Sequence, residues 1–236
     1  AGQRTGCRTV DEARQIAQRI AASPVLALAG IECYEGTTAH CDVRITHLTL
    51  DEQARPRFTL HAGGSSAEVA MAMVGEHMAS NACAAAAVAL HFGMAPARVA
   101  ELLTIAVPRS RWRMEVSTTP AGVTVLNDAY NANPDSMRAA LRSLAAMRGQ
   151  GRTIAVLGEM LELGQDSISE HDAIGRLAVR LDISRTIAVG QGARPLFLGA
   201  SQEGSWSGEA AFVADVPGAI DLLRELVQPG DVVLVK

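Results

Sequence analysis

Thr153-Ile154-Ala155-Val156-Leu157-Gly158-Glu159-Met160-Leu161-Glu162-Leu163-Gly164 sets the fold class. Residues 153–157 carry no charge and no polar–apolar alternation, and a glycine follows at once. That is the pattern of a short strand covered on both faces, not of one half-exposed to water. Downstream the rhythm repeats. Residues 167–181 read as a helix, with Ser167 and Glu170 spaced as a capping box. Residues 186–189 read as a strand, and a helix follows from about residue 193. Residues 211–213 form a weak strand, 217–226 a helix and 232–235 a last buried strand. Upstream, residues 112–118 and 122–126 read as a hairpin around Pro120-Ala121, and 134–147 as a helix. Strands alternating with helices over residues 108–236 predict an α/β domain with a mostly parallel sheet covered on both faces. Residues 199–208, bounded by glycines, read as its flexible loop.

The segment before it, residues 40–107, has another grammar. Residues 43–50 alternate as a strand. Residues 57–62 and 68–74 flank Gly63-Gly64-Ser65-Ser66, a hairpin signal with a loop longer than the minimum. An Ala-rich helix over residues 78–92 closes at Gly93, and Pro96 opens another that runs to residue 105. This α+β piece lacks partner strands, which predicts an exposed apolar face. Residues 1–39 hold one helix, opened by Thr9 and Glu12 as a capping box, and one strand over residues 25–31. They are too few to bury a core alone.

The chain has 236 residues, 48% apolar and 19% charged, so it can bury a core and is not disordered in bulk. Aromatics are only 3%, which leaves the core to Ala, Val, Leu, Ile and Met. A net charge of −4 argues against a general nucleic-acid binder. No apolar run reaches the roughly 18 residues of a membrane span. No charged-then-apolar leader opens the sequence, and the four cysteines are scattered without a C-x-x-C pair. A reduced, cytoplasmic, monomeric protein is the expectation. The one lysine is Lys236, so the sequence holds no P-loop, which needs Lys followed by Ser or Thr. No metal site follows from the scattered histidines and cysteines.

Two polar loops follow strands, where ligands gather in open parallel sheets. One is Asn127-Asp128-Ala129-Tyr130-Asn131-Ala132-Asn133-Pro134. A helix start explains Asn133 as cap and Pro134 as first helical residue, but leaves the other polar side chains unexplained. Asp128 suits ribose hydroxyls as a hydrogen-bond acceptor. The other is residues 158–164, where Glu159 and Glu162 share a side if that loop is helical, a weak signal for a paired acid and base; solvated charges near a helix start explain them better. Arg109, Arg111 and Arg113 sit at the segment boundary, either as a solvated basic linker or as an arginine reaching an anion. His77 and Asn81 stand one helical turn apart and share a face.

The stretch from Asn127 to Met137 resembles the signature of the Mur ligase family, and within it the branch that adds D-alanyl-D-alanine. Gly75-Glu76-His77-Met78-Ala79-Ser80-Asn81-Ala82 is similar to the family's G-x-H-N-x-x-N-A segment. Ser110-Arg111-Trp112-Arg113-Met114-Glu115 is similar to its interdomain arginine motif, and residues 156–164 with Glu170-His171 to its next loop and helix. The likeness covers residues 42–236. It implies a Rossmann-like C-terminal ligase domain over 108–236, preceded over 40–107 by an incomplete α+β tail of the central ATPase domain. It also implies ATP-dependent joining of D-Ala-D-Ala to UDP-N-acetylmuramoyl-tripeptide in peptidoglycan precursor synthesis, through a carboxylate activated by ATP with Mg²⁺. By this resemblance Asn81 approaches adenine, and Arg113 and Asp128 approach ribose and phosphates. Asn131, Asn133, Glu159 and His171 face the peptide substrate.

No catalytic residue or Mg²⁺ ligand is carried over, so the chain by itself is expected to be inactive. A binding remnant without turnover is the alternative. Met78 stands where many members have Asn, and Asn127 where many have a first Asp. Residues 1–39 instead resemble a piece of a pyridoxal-phosphate barrel of the D-serine dehydratase and D-threonine aldolase kind. That likeness implies a Schiff-base enzyme, for which the sequence has no internal lysine.

Overall fold

The computed structural model describes residue 15 and residues 43–62, 64–149, 151–204 and 207–236. Apart from residue 15, which is helical, the helix and strand read within residues 1–39 lie outside these. The chain divides into two units, Ala1–Thr37 and Thr38–Lys236. Both sheets belong to the second unit.

Strands β1 (Val43–Leu50), β2 (Pro56–Ala62) and β3 (Ser65–Ala70) form an antiparallel meander in that order. Alternation along β2 buries Phe58, Leu60 and Ala62 on one face. Helices α1 (His77–His91) and α2 (Pro96–Ile105) cover that face. The small residues Ala79, Ala82, Cys83 and Ala86 of α1 lie buried with Phe58 and Val69 in one core. The open apolar face expected here is therefore closed. The exposed large apolar side chains of this part, among the described residues, lie at helix ends: Phe92, Met94, Ile105 and Val107. The hairpin is tighter than expected, since Ala62 pairs with Ser65. β3 also stops short of residue 74, because Val74 packs into the other core.

Residues 115–235 build the second sheet. Its strands are β4 (Glu115–Thr118), β5 (Thr124–Asn127), β6 (Thr153–Leu157), β7 (Arg185–Val189), β8 (Ala210–Val213) and β9 (Val232–Val235). The order is β4-β5-β9-β6-β7-β8, all parallel except the β4–β5 hairpin. The last strand thus lies inside the sheet, which is why residues 232–234 are buried. Helices α3 (Pro134–Ala146), α4 (Ser167–Arg180), α5 (Arg194–Glu203) and α6 (Val216–Leu226) complete the layers. Alternate residues of β6 serve opposite faces. Ala155 and Leu157 join Met137, Leu141, Ile174 and Leu196 of α3, α4 and α5. Ile154 and Val156 join Ala219 and Leu222 of α6.

Three local readings need correction. Ser167 and Glu170 form no capping box: Ser167 is already helical, Asp166 precedes it without a side-chain cap, and a 3₁₀ turn at Gly164–Asp166 leads in. Glu170 instead pairs with Arg138 across α3 and α4 at 2.7 Å. Gly199 belongs to no loop; it is buried in α5, and a Cβ there would fall 2.3 Å from the Asp172 carbonyl oxygen. β4 begins at Glu115 and not at residue 112, because Trp112 (φ 61°) and Met114 (φ 50°) are left-handed.

The two parts share packing. Ala54, in the turn between β1 and β2, and Val74 lie buried in the core of the larger sheet. Met78 packs against both cores.

Candidate functional site

The carboxyl ends of β5, β9 and β6 lie side by side, with Asn127 paired to Val235 and Val235 to Val156. The ladder runs one step further on each side. Asp128 N–H donates to the Val235 carbonyl at 2.9 Å, Lys236 N–H to Val156 at 2.9 Å, and Gly158 N–H to Lys236 at 2.7 Å. Both polar loops therefore leave the sheet from one edge, the position where parallel sheets bind ligands.

The loop after β5 is pinned from within. Asn127 Oδ1 accepts the Ala129 N–H at 3.2 Å. Asn133 is the N-cap of α3: its side chain accepts the Ser136 N–H at 2.9 Å, Ser136 Oγ accepts the Asn133 N–H at 3.1 Å, and Pro134 follows. Between these anchors, Asp128 Oδ1 accepts the Met114 N–H at 3.0 Å. Asp128 Oδ2 accepts from the Lys236 ammonium in a close ion pair. The same ammonium donates to the Asn131 carbonyl at 3.1 Å. The Lys236 side chain is 1% exposed and that of Asp128 14%. Burying such a pair is tolerable only because each charge meets its partner and further polar groups.

The arginine segment is drawn onto this loop. Tyr130 N–H donates to the Trp112 carbonyl at 3.1 Å, and the Arg113 guanidinium lies 4.3 Å from the centre of the Tyr130 ring. Trp112 and Tyr130 are both more than half exposed. A carboxylate has about four acceptor positions, and Met114 and Lys236 take only part of that capacity on Asp128. The cluster thus sets a fixed anion beside a cation stacked on a ring. That arrangement suits a ligand with vicinal hydroxyls and phosphates.

The loop after β6 is built differently. Residues 158–163 are not helical and Glu162 has φ 63°, so Glu159 and Glu162 do not share a helical side. Glu159 is exposed, and its carboxylate lies over Gly192, where a Cβ would fall 1.6 Å from Oε2. His171 is fully buried in α4. Its Nε2 accepts the Met160 N–H at 2.8 Å, so Nδ1 carries the proton and donates it to the Ser167 carbonyl at 2.7 Å. Both ring nitrogens are engaged by the chain itself. His171 thereby ties the loop after β6 to α4.

Arg113 and Asp128 are thus brought together, with Asn131 exposed beside them. Asn81 stands exposed on α1, its amide donating to Met78 Sδ at 3.9 Å, and Met78 itself packs against the two hydrophobic cores. Two members of the cluster escaped the sequence reading. Tyr130 reads as one polar loop residue among several, and Lys236 as evidence against a P-loop and a Schiff-base lysine and as the end of a family-like V-L-V-K strand, with no role in the site. The usable signal for Lys236 was a charge directly following a buried strand. Among the described residues, no group of three or more His, Cys, Asp or Glu is arranged to hold a metal ion. No helix among them is long and apolar enough to cross a membrane.

Residues 112–236 match the family model described as Mur ligase, glutamate ligase domain. The UDP-N-acetylmuramoyl-tripeptide–D-alanyl-D-alanine ligases of Mycobacterium bovis and Mycobacterium tuberculosis are each 53% identical over 212 residues, covering 83% of this chain and 42% of theirs. The MurF structure from Acinetobacter baumannii superposes with a TM-score of 0.69 at 32% identity, over 82% of this chain and 41% of that one. MurF from Thermotoga maritima, solved in complex with ADP, shares the fold with a TM-score of 0.65 at 20% identity. The chain thus spans about two fifths of the length of these relatives. With a family model covering more than half its residues, on the sheet that carries the Asp128 cluster, the chain belongs to the Mur ligase family.

Proposed function

We propose that this chain provides the C-terminal, nucleotide-facing part of an ATP-dependent ligase that joins D-Ala-D-Ala to UDP-N-acetylmuramoyl-tripeptide in peptidoglycan precursor synthesis. The observation that carries this reading is the cluster of Asp128, Lys236, Arg113 and Tyr130 at the carboxyl ends of β5 and β9. Residues 108–236 form the C-terminal ligase domain and residues 40–107 the tail of a central domain. Asp128 accepts hydrogen bonds from ribose hydroxyls through the acceptor positions that Met114 and Lys236 leave. Arg113, held over Tyr130, meets the phosphates. Asn81 approaches the base from α1. Asn131 and Glu159, both exposed at the shared edge, face the peptide substrate, while Asn133 and His171 hold their loops in shape. ATP supplies the phosphoryl group that activates the substrate carboxylate, and Mg²⁺ is held by residues outside this chain.

The sequence contains no Lys-Ser or Lys-Thr pair for a phosphate cradle. Losing such preorganised electrostatic elements costs orders of magnitude in rate. The chain by itself therefore binds nucleotide and does not ligate. The test is titration of ADP into the chain by calorimetry, alongside Asp128→Ala and Arg113→Ala, each with unfolding curves like the parent's. Saturable ADP binding, weakened by both substitutions, is expected. Equal affinity in all three chains would remove the site. Phosphate release dependent on both tripeptide precursor and D-Ala-D-Ala should appear only when the missing part of a full-length relative is joined to this chain. Binding without such turnover would leave a nucleotide-binding remnant as the function.

A further inference from the structure

We propose that Lys236 is a positioning residue for the nucleotide site. Its ammonium fixes the Asp128 carboxylate and the Asn131 carbonyl, and so holds the loop after β5 in the shape that offers Asp128 to a ribose diol. The inference rests on the reading of Asp128 as the ribose acceptor.

Three observations support it. The Lys236 side chain is 1% exposed, so it does not reach a ligand in bulk contact; its partners are protein atoms. An ammonium has three protons to place once stripped of water. The structure gives it Asp128 Oδ2, the Asn131 carbonyl at 3.1 Å and the Asp128 carbonyl at 3.5 Å, all within one loop. Finally, the loop it holds is the one that organises the rest of the cluster. The other oxygen of Asp128 accepts the Met114 N–H, next to Arg113, and Tyr130 of the same loop underlies the Arg113 guanidinium. Deleting the ammonium leaves a largely buried carboxylate facing its backbone neighbour alone. The carboxylate then turns outward to water, and that change removes the acceptor geometry for a diol.

A general structural role predicts a loss for every ligand. A positioning role acting through Asp128 predicts a loss confined to ligands bearing ribose hydroxyls. Lys236→Met keeps the length of the stem and removes the charge. The affinities of ADP and 2′,3′-dideoxy-ADP are measured by calorimetry for the chain, for Lys236→Met, for Asp128→Asn and for the double variant. The chain is expected to prefer ADP by about tenfold, the scale of one well-placed hydrogen-bonding group. Lys236→Met should lose most of that preference while dideoxy-ADP affinity changes little. The double variant should bind ADP no more weakly than Asp128→Asn alone.

A preference preserved in Lys236→Met overturns the inference and leaves the site standing. Equal binding of the two nucleotides by the unsubstituted chain, or none, overturns the site reading and this inference with it. Should Lys236→Met not fold, the lysine itself reports, because the sequence has only one. Isotope-labelled lysine gives a single side-chain ammonium signal. Slow exchange with water, and a shift on ADP that dideoxy-ADP does not reproduce, support the proposal. A fast-exchanging signal indifferent to both nucleotides overturns it.

Discussion

Asp231, 2% exposed just before β9, shows how single charges hold this fold. Its Oδ1 accepts from Arg152 N and Nε, and its Oδ2 from Arg152 Nη2 and Gln228 N. Burial alone raises a carboxyl pKa, but the Arg152 guanidinium and these backbone N–H groups outweigh it, and the net shift is downward. A carboxylate whose pKa falls on folding contributes stability at every pH above its unfolded value, and the contribution fades as pH drops through the folded one. Asp231→Asn should therefore cost about 2 kcal/mol at neutral pH. The gap to the parent should narrow as pH falls below about 4, the ordinary Asp range. Urea unfolding at stepped pH measures it; curves staying parallel down to about pH 3 would contradict the assignment. His171 makes a complementary case. His171→Leu strands the buried Met160 N–H and should lower stability by about 1–3 kcal/mol. In this chain joined to the missing part of a full-length relative, the KM for D-Ala-D-Ala should stay unchanged if His171 only holds its loop, so kinetics of the folded variant separate this role from substrate contact. Sequence alone did not distinguish the two roles, because a buried and an exposed histidine look alike until their partners are known.

Between α4 and α5 the contact is backbone on backbone. A Cβ on Gly175 would lie 2.0 Å from the Leu196 carbonyl oxygen, and one on Gly199 2.3 Å from that of Asp172. Ion pairs of Arg176 with Asp172 and Glu203, and of Arg180 with Glu203, line the same crossing. In an ordinary helix interior, Gly→Ala gains about 1 kcal/mol. Here the methyl group displaces main chain that has nowhere to go. Gly175→Ala and Gly199→Ala should each be destabilising by about 2 kcal/mol or more, on the scale of overpacking. Thermal unfolding of each variant checks the sign; a raised Tm for either would show that the helices part freely. The same glycines explain a misreading. Gly199 looked like punctuation because a glycine most often marks a turn, and only the crossing partner shows it as a contact. Elements whose cause is local were legible. β1, β6, β9 and α2 occupy the residues read for them, since alternation, continuous apolar runs and a Pro start are written in the chain itself. β4 lost its first residues to the left-handed Trp112 and Met114, which tie the arginine segment to the Asp128 loop and owe nothing to local propensity.

At the scale of the unit Thr38–Lys236, the question is whether its two sheets act as one. Composition and strand rhythm separated residues 40–107 from 108–236 and placed both polar loops at strand ends. They did not show that the parts share a core, nor that Lys236 closes on Asp128, because both facts depend on contacts between residues far apart in sequence. Ala54, Val74 and Met78 come from the smaller part and pack with Leu126, Met137 and Leu141 of the larger. Among the described residues, Met78 alone touches both cores as a partly buried side chain, at a position where the family resemblance suggested Asn. A thioether fills such a junction with little strain and leaves no amide to satisfy. The two cores should therefore open together. In native-state hydrogen exchange the slowest amides of β2 and β5 should report the same opening free energy within about 0.5 kcal/mol. Met78→Ala removes the shared side chain and should cost about 1–2 kcal/mol, toward the low end for Met because the site is only partly buried. The loss should not be even. β2 rests on a core of short side chains and should open first, whereas β5, inside the six-stranded sheet, should keep most of its protection. Equal loss at both strands would show that Met78 contributes area and no coupling. Unequal protection in the unsubstituted chain would show that the cores were never joined, and Asn81 on α1 would then have no fixed distance to Asp128.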